Sequence, residues 1–177
     1  MNKKYHELTD QDYKRDSAYI NGDTIYFKTA TLTSTPQDFI NLDEEQKLFL
    51  EQSWESADIL IRKYQSGSTI DNYTPKTLDN IIDIWNSNET KFSCSENDFV
   101  NAIGVAFGFY LVKTCNMKWT IISDEYGTDY ATTIEEIELV NFPLSSVAKA
   151  INQKREGSLN AISLMTKQHI EELNKKK

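Results

Sequence analysis

The stretch that decides the fold is residues 95–143, SENDFVNAIGVAFGFYLVKTCNMKWTIISDEYGTDYATTIEEIELVNFP. Its first half has a helix start signal at Ser95 and stays apolar on most sides to Cys115, which predicts a buried helix. At Lys118 the helical period gives way to the alternation of β-strands, over three runs that end at Pro143. The sequence therefore predicts an α+β fold in which an antiparallel β-meander packs against a buried glycine-containing helix.

Further segments on both sides of this stretch have the periodicity of amphipathic helices. The first begins at Asp43 with a capping box and ends before Gly67. The others are predicted to begin near Thr74, after Pro143 and at Ser158, with Ser158 as the cap of the last helix. Flanking helices of this kind suit one layer of helices packed on one face of the sheet.

The N-terminal segment, residues 1–42, is predicted to contain a short β-hairpin. Asn21-Gly22 lies between two apolar, β-prone runs, which is a strong hairpin signal. Residues 1–16 are expected to be irregular or a short helix, and residues 29–40 to be a connection. We predict that this segment is part of the same domain as residues 43–177.

Composition excludes several classes of function. The 177 residues carry a net charge of −8, which repels a phosphate backbone, so we expect no nucleic-acid partner. The N-terminus lacks the apolar run of a signal peptide, and no apolar run approaches the ~20 residues of a membrane span. Cys94 and Cys115 flank a helix about 30 Å long, too far for a disulfide. These features favour a cytoplasmic protein with no membrane partner.

Residues 104–151 contain an ordered series of motifs. They are Gly104 and Gly108 in a helix, Leu111-Val112, Lys118-Trp119-Thr120-Ile121, Asp124-Glu125-Tyr126-Gly127-Thr128-Asp129, and Asn141-Phe142-Pro143-Leu144-Ser145-Ser146-Val147 followed by Ala150-Ile151. This order resembles an uncharacterised bacterial family, domain of unknown function 3806. The resemblance implies a glycine-bearing helix that leads into a tryptophan-containing strand and a meander, and it implies no activity. By analogy, small acidic members of such families sometimes act as immunity proteins against toxins.

Gly104 and Gly108 lie one helical turn apart, so they create a smooth helix face. Glycine inside a helix costs about 1 kcal/mol relative to alanine, so two of them need a reason. Close approach of the sheet or another helix is favoured over contact with a ligand. The alternative is a small-molecule-binding protein or enzyme with a pocket near Gly104, Gly108 and Trp119, with Asp124 or Tyr126 at the rim.

Acidic residues of the meander form the candidate partner surface. The carboxylates in the hairpin turn do not have calcium-loop spacing, so a solvated turn or a protein-binding surface is favoured over metal binding or catalysis. The glutamates that follow extend this acidity along the third strand, where a solvent-facing sheet edge protected by charge is favoured over a partner-binding patch. The candidate surface consists of Asp124, Glu125, Tyr126, Asp129, Glu135, Glu136 and Glu138.

The sequence predicts no catalytic, metal or cofactor-binding residues. His6 and His169 lie at opposite ends of the chain, and no Cys/His cluster has zinc spacing. We therefore expect a non-enzymatic protein-binding protein, in particular an inhibitor or immunity protein that blocks a basic toxin or enzyme through an acidic surface. A structural homo-oligomer is a further alternative, and the sequence leaves the oligomeric state open.

Overall fold

The computed structural model describes residues 13–20, 23–30, 38–88, 91–124 and 127–175, with side chains described from residue 38 onward. The chain divides into two compact units, Met1–Pro36 and Gln37–Lys177. The prediction that the N-terminal segment shares a domain with the rest stays a prediction.

The first unit contains an antiparallel pair of strands, β1 (Tyr13–Ile20) and β2 (Asp23–Ala30). The predicted hairpin is confirmed, while its turn residues, Asn21-Gly22, lie outside the described residues. The prediction that the chain is irregular or helical up to Asp16 is wrong for its last four residues, which belong to β1. They pair with the far end of β2, and this cross-strand pairing outweighs their polar composition.

The second unit is the α+β unit that the sequence predicts. In chain order its elements are β3 (Asp38–Ile40), α1 (Glu44–Tyr64), α2 (Pro75–Ser87), α3 (Glu96–Cys115), β4 (Lys118–Asp124), β5 (Gly127–Ile134), β6 (Leu139–Asn141), α4 (Pro143–Asn152) and α5 (Ser158–Asn174). The four strands form an antiparallel sheet in the order β3-β4-β5-β6, so the meander is confirmed.

Two details of the sheet differ from the prediction. The expected connection over residues 29–40 is wrong at its end, because Asp38–Ile40 pairs with β4 as an added edge strand. For the same reason the second unit begins before Asp43. The third predicted strand is shorter than expected, because a 3₁₀ turn at Glu135–Ile137 and a left-handed Glu138 (φ 52°) precede β6.

Local capping explains where the first three helices begin. Asp43, Thr74 and Ser95 each form a capping box with the residue three positions later. The sequence predicts all three helix starts, but it predicts the capping box itself only at Asp43. The prediction for α5 is wrong, because the residue at the cap is Gly157 (φ 67°) and Ser158 is the first helical residue. The backbone N–H groups of Leu159 and Asn160, in the first turn of α5, donate hydrogen bonds to Asp79 of α2.

Helix α3 is the core of the second unit, as predicted. Phe99, Ile103, Phe107 and Leu111 are fully buried along it. By length and composition α3 also qualifies as a membrane span, with a mean hydropathy of 1.2, but 56% of that stretch is buried inside the protein. Burial among the other helices and the sheet accounts for its apolar composition.

Candidate functional site

The acidic turn of the β4–β5 hairpin is only partly available to a partner. Asp124 pairs with Gly127 at the end of the hairpin, while Glu125 and Tyr126 lie outside the described residues. The carboxylate of Asp129 accepts a hydrogen bond from the Oγ of Ser145 at 2.6 Å and one from the backbone N–H of Tyr130 at 2.7 Å. Asp129 therefore ties β5 to α4, which is a structural role.

The remaining glutamates of the candidate surface lie beyond the other end of β5. Glu135 pairs with Lys118, with 2.6 Å between Oε1 and Nζ, and both side chains are about half exposed. Glu136 and Glu138 are exposed on the 3₁₀ turn and just after it. These two carboxylates are the members of this group that face water without a described ion pair.

The structure does not bring the candidate surface together as one patch. Asp129 and Glu135 are separated by six positions along an extended strand, which corresponds to roughly 20 Å. The acidic residues of the meander thus form two groups, one at the hairpin turn and one at the 3₁₀ turn. A single partner would have to span the length of β5 to contact both.

The two glycines of α3 are sites of close packing. A Cβ atom at Gly104 would lie 2.8 Å from the backbone Cα of Leu144, and one at Gly108 would lie 2.1 Å from the indole ring of Trp119. The first contact is with α4 and the second with the sheet, so the packing interpretation explains both glycines. The helix face that they create is filled by Leu144 and Trp119.

The indole N–H of Trp119 is a buried hydrogen-bond donor without an acceptor among the described residues. The ring packs edge-on against Phe109 with 5.9 Å between centroids. Within the described residues its Nε1 is buried and has no hydrogen-bond acceptor. An unmet donor of this kind costs about 1–3 kcal/mol, and the contact with Gly108 holds the ring in that position.

Among the described residues the most buried carboxylate is one for which the sequence predicts no role. Asp79 on α2 is only 4% exposed, and its two oxygens accept the backbone N–H groups of Leu159 and Asn160, each at 2.9 Å. Burial raises the pKa of Asp79, while the two backbone hydrogen bonds lower it and the nearby Asp83 raises it. Asp79 thus supplies the N-terminal cap of α5 from a different helix. The only signal in the sequence is an aspartate within an otherwise apolar helix stripe.

An open cleft of about 350 Å³ lies where the end of α2, the start of α3 and the end of α4 meet. Trp85 and Ile151 contribute apolar surface, and polar side chains form most of the rest. The lining residues are Trp85, Asn86, Ser87, Asn88, Glu96, Ile151 and Lys154. Because Glu96 begins α3, the cleft is eight residues, or about 12 Å, from Gly104 along the helix.

The described residues contain no cluster of three or more histidine, cysteine, aspartate or glutamate side chains that could hold a metal ion. Cys94 and Cys115 are free thiols near opposite ends of α3. Burial raises the pKa of the Cys94 thiol, so it is held in its less reactive protonated form. His169 is exposed on α5, and His6 lies outside the described residues.

Comparisons with known proteins are consistent with this fold and bring no activity with them. The chain has no match among curated proteins. A crystal structure from Bacteroides thetaiotaomicron VPI-5482 at 1.50 Å resolution is similar, with a TM-score of 0.57 and 10% sequence identity over 89% of this chain and 70% of that one. At that identity the likeness concerns the fold alone. Residues 77–162, from α2 to the start of α5, match the family described as Domain of unknown function (DUF3806), and the chain therefore contains a DUF3806 domain.

Proposed function

We propose that this is a non-enzymatic protein that binds a basic partner protein, in the manner of an inhibitor or immunity protein. The observation that carries the proposal is the distribution of charge. Residues 1–36 contain five basic and five acidic side chains, so the whole net charge of −8 belongs to residues 37–177. A compact unit with this excess attracts a basic partner at long range and accelerates its association.

Two carboxylates in the second unit, Asp79 and Asp129, support this proposal over an enzymatic one. Asp79 caps α5, and Asp129 holds β5 to α4, so both are occupied by structural hydrogen bonds. The acidic excess is instead carried by side chains at the surface, such as Glu136 and Glu138. Surface carboxylates of this kind contribute to recognition and association rate more than to chemistry.

The alternative of a ligand pocket beside the glycines has less support. Leu144 and Trp119 already occupy the space in front of Gly104 and Gly108. The cleft at Trp85 is a separate feature, about 12 Å from Gly104 along α3. A screen of small molecules by thermal shift would revive the alternative if a ligand raised the unfolding temperature.

The test of the proposal is affinity capture from the native host, with the recovered proteins identified by mass spectrometry. We expect one basic protein in stoichiometric amount, released by salt because screening weakens the attraction. Adding the purified protein to that partner should then abolish the partner's toxic or enzymatic activity. Recovery of no enriched partner at micromolar concentration would contradict the proposal.

A further inference from the structure

Helix α1 has two faces with different solvent exposure. Leu50, Ala57 and Ile61 are buried on the face that packs into the core. On the opposite face Leu48 is 51% exposed and Ile59 is 65% exposed. They are eleven residues apart, which is three helical turns and about 16 Å, so they lie on the same line along the helix.

Exposed apolar side chains are concentrated in this part of the chain. Among the described residues the large hydrophobic side chains that are exposed are Phe39, Ile40, Leu48 and Ile59. All four fall within β3, α1 and the link between them. A single exposed leucine needs no explanation, but four in one continuous segment mark a candidate interaction surface.

The same segment is strongly acidic. Residues 38–59 contain seven acidic side chains and one basic side chain, Lys47, which pairs with Glu44. Glu51 and Glu55 are exposed between Leu48 and Ile59 and make no ion pair within the described residues. The negative field extends to the sheet: burial raises the pKa of Tyr130, and the charges of Asp43 and Glu45 raise it further.

Charge decides which occupant suits this face. A second copy of the chain would place two acidic surfaces against each other, and nucleic acid would be repelled in the same way. A basic segment with apolar side chains would bury Leu48 and Ile59 while its cations meet Glu51 and Glu55. Such a segment would bind the apolar and the acidic side chains of this face at the same time.

We propose that the outward face of α1, formed by Leu48, Glu51, Gln52, Glu55 and Ile59, is the docking surface for a basic amphipathic segment of the partner protein. This inference rests on the proposed function, since it names the surface through which the partner is bound. The surface lies outside residues 77–162, so it is an addition to the DUF3806 domain. The acidic group at the 3₁₀ turn is then not the main contact.

The direct test uses the isotope-labelled full chain and a synthetic amphipathic helical peptide of lysine and leucine as the probe. We expect the largest amide shift changes in α1. The double variants Leu48→Gln/Ile59→Gln and Glu51→Gln/Glu55→Gln should each weaken binding about tenfold, because each removes one half of the recognition. The matched control, Glu136→Gln/Glu138→Gln, removes as much charge elsewhere and should change the affinity less than about twofold.

Several results would overturn the inference. They are no binding of the peptide up to millimolar concentration, the largest shift changes outside α1, or an equal loss of affinity in the Glu136→Gln/Glu138→Gln control. Sedimentation of the wild type as a dimer that Leu48→Gln/Ile59→Gln converts to a monomer would also overturn it, because the occupant would be a second copy. Repeating the host capture with Leu48→Gln/Ile59→Gln separates the two proposals. If the double variant still captures the partner in full, the docking surface is contradicted but the proposed function is not. If the wild type captures no partner, the proposed function itself is contradicted.

Discussion

Helices α3 and α1 both carry large apolar side chains, but for different reasons. In α3 the apolar residues and even the two glycines are explained by neighbours in the same chain, since Leu144 and Trp119 fill the space at Gly104 and Gly108. In α1 the inward face is explained in the same way, but Leu48 and Ile59 face water. The comparison separates residues that this chain needs in order to fold from residues that its folding does not require.

The largest effect is expected at Gly108. Gly108→Ala places a Cβ atom 2.1 Å from the indole of Trp119, so the ring or the helix must move. We expect the free energy of unfolding to fall by about 3 kcal/mol, measured by urea denaturation. Adding Trp119→Leu should recover part of the loss, because the smaller side chain vacates the space. Lys113→Ala, at an exposed position of α3, is the control and should have little effect.

A somewhat smaller effect is expected at Asp79, which joins α2 to α5. Asp79→Ala leaves the N–H groups of Leu159 and Asn160 without an acceptor in the interior, so we expect a loss of about 2 kcal/mol in the free energy of unfolding. Ser158→Ala is the matched control, since Ser158 is the residue that local sequence rules would place at the cap. It should lose less than about 0.5 kcal/mol. The reverse ranking would show that the helix start is capped locally.

The raised pKa of Asp79 also predicts the sign of a pH effect. The folded protein holds this proton more tightly than the unfolded chain, so the carboxyl's contribution to stability falls as pH rises from its ordinary pKa of 3.8 through the folded value. The Asp79→Asn variant lacks this titration, although Asp83, whose pKa is also raised by burial, still titrates in both proteins. The stability of the wild type relative to Asp79→Asn should therefore decrease over that interval. If the difference in unfolding free energy between the wild type and Asp79→Asn stayed constant with pH, the raised pKa of Asp79 would be contradicted.

The smallest effect is expected on the outward face of α1. Leu48→Gln/Ile59→Gln should change the free energy of unfolding by less than about 0.5 kcal/mol, because both side chains are exposed. Leu50→Gln, on the buried face of the same helix, should lose about 3 kcal/mol. Thermal and urea unfolding of the two proteins measure this contrast. A large loss in the double variant would show that the face is covered within this chain and is not available to a partner.

Features set by neighbouring residues could be predicted from the sequence. The capping boxes at Asp43, Thr74 and Ser95 depend on side chains three positions apart, and the β4–β5 hairpin depends on alternation around a turn. The three helix starts and the hairpin were predicted and are present, and the capping box was predicted at Asp43. The burial of α3 also follows from its composition, since it is apolar on most sides.

Features set by distant contacts could not be predicted in the same way. Strand β3 has three residues, too few for a period, and it is a strand only because β4 provides the pairing partner. Asp79 caps a helix that begins 79 positions later in the chain, at Ser158, so no local rule finds it. The separation of the acidic surface into two groups could have been predicted. The strand predicted for this part of the chain already places Asp129 and Glu135 near its opposite ends.

The measurement that tests the central claim most directly is salt-dependent capture of a host partner on the immobilised full chain. The account predicts one stoichiometric basic protein that is bound at low salt, released as salt rises, and largely lost when Leu48→Gln/Ile59→Gln replaces the wild type. Recovery of no partner, or of one whose binding is insensitive to salt, would contradict the claim that this acidic unit is a protein-binding module.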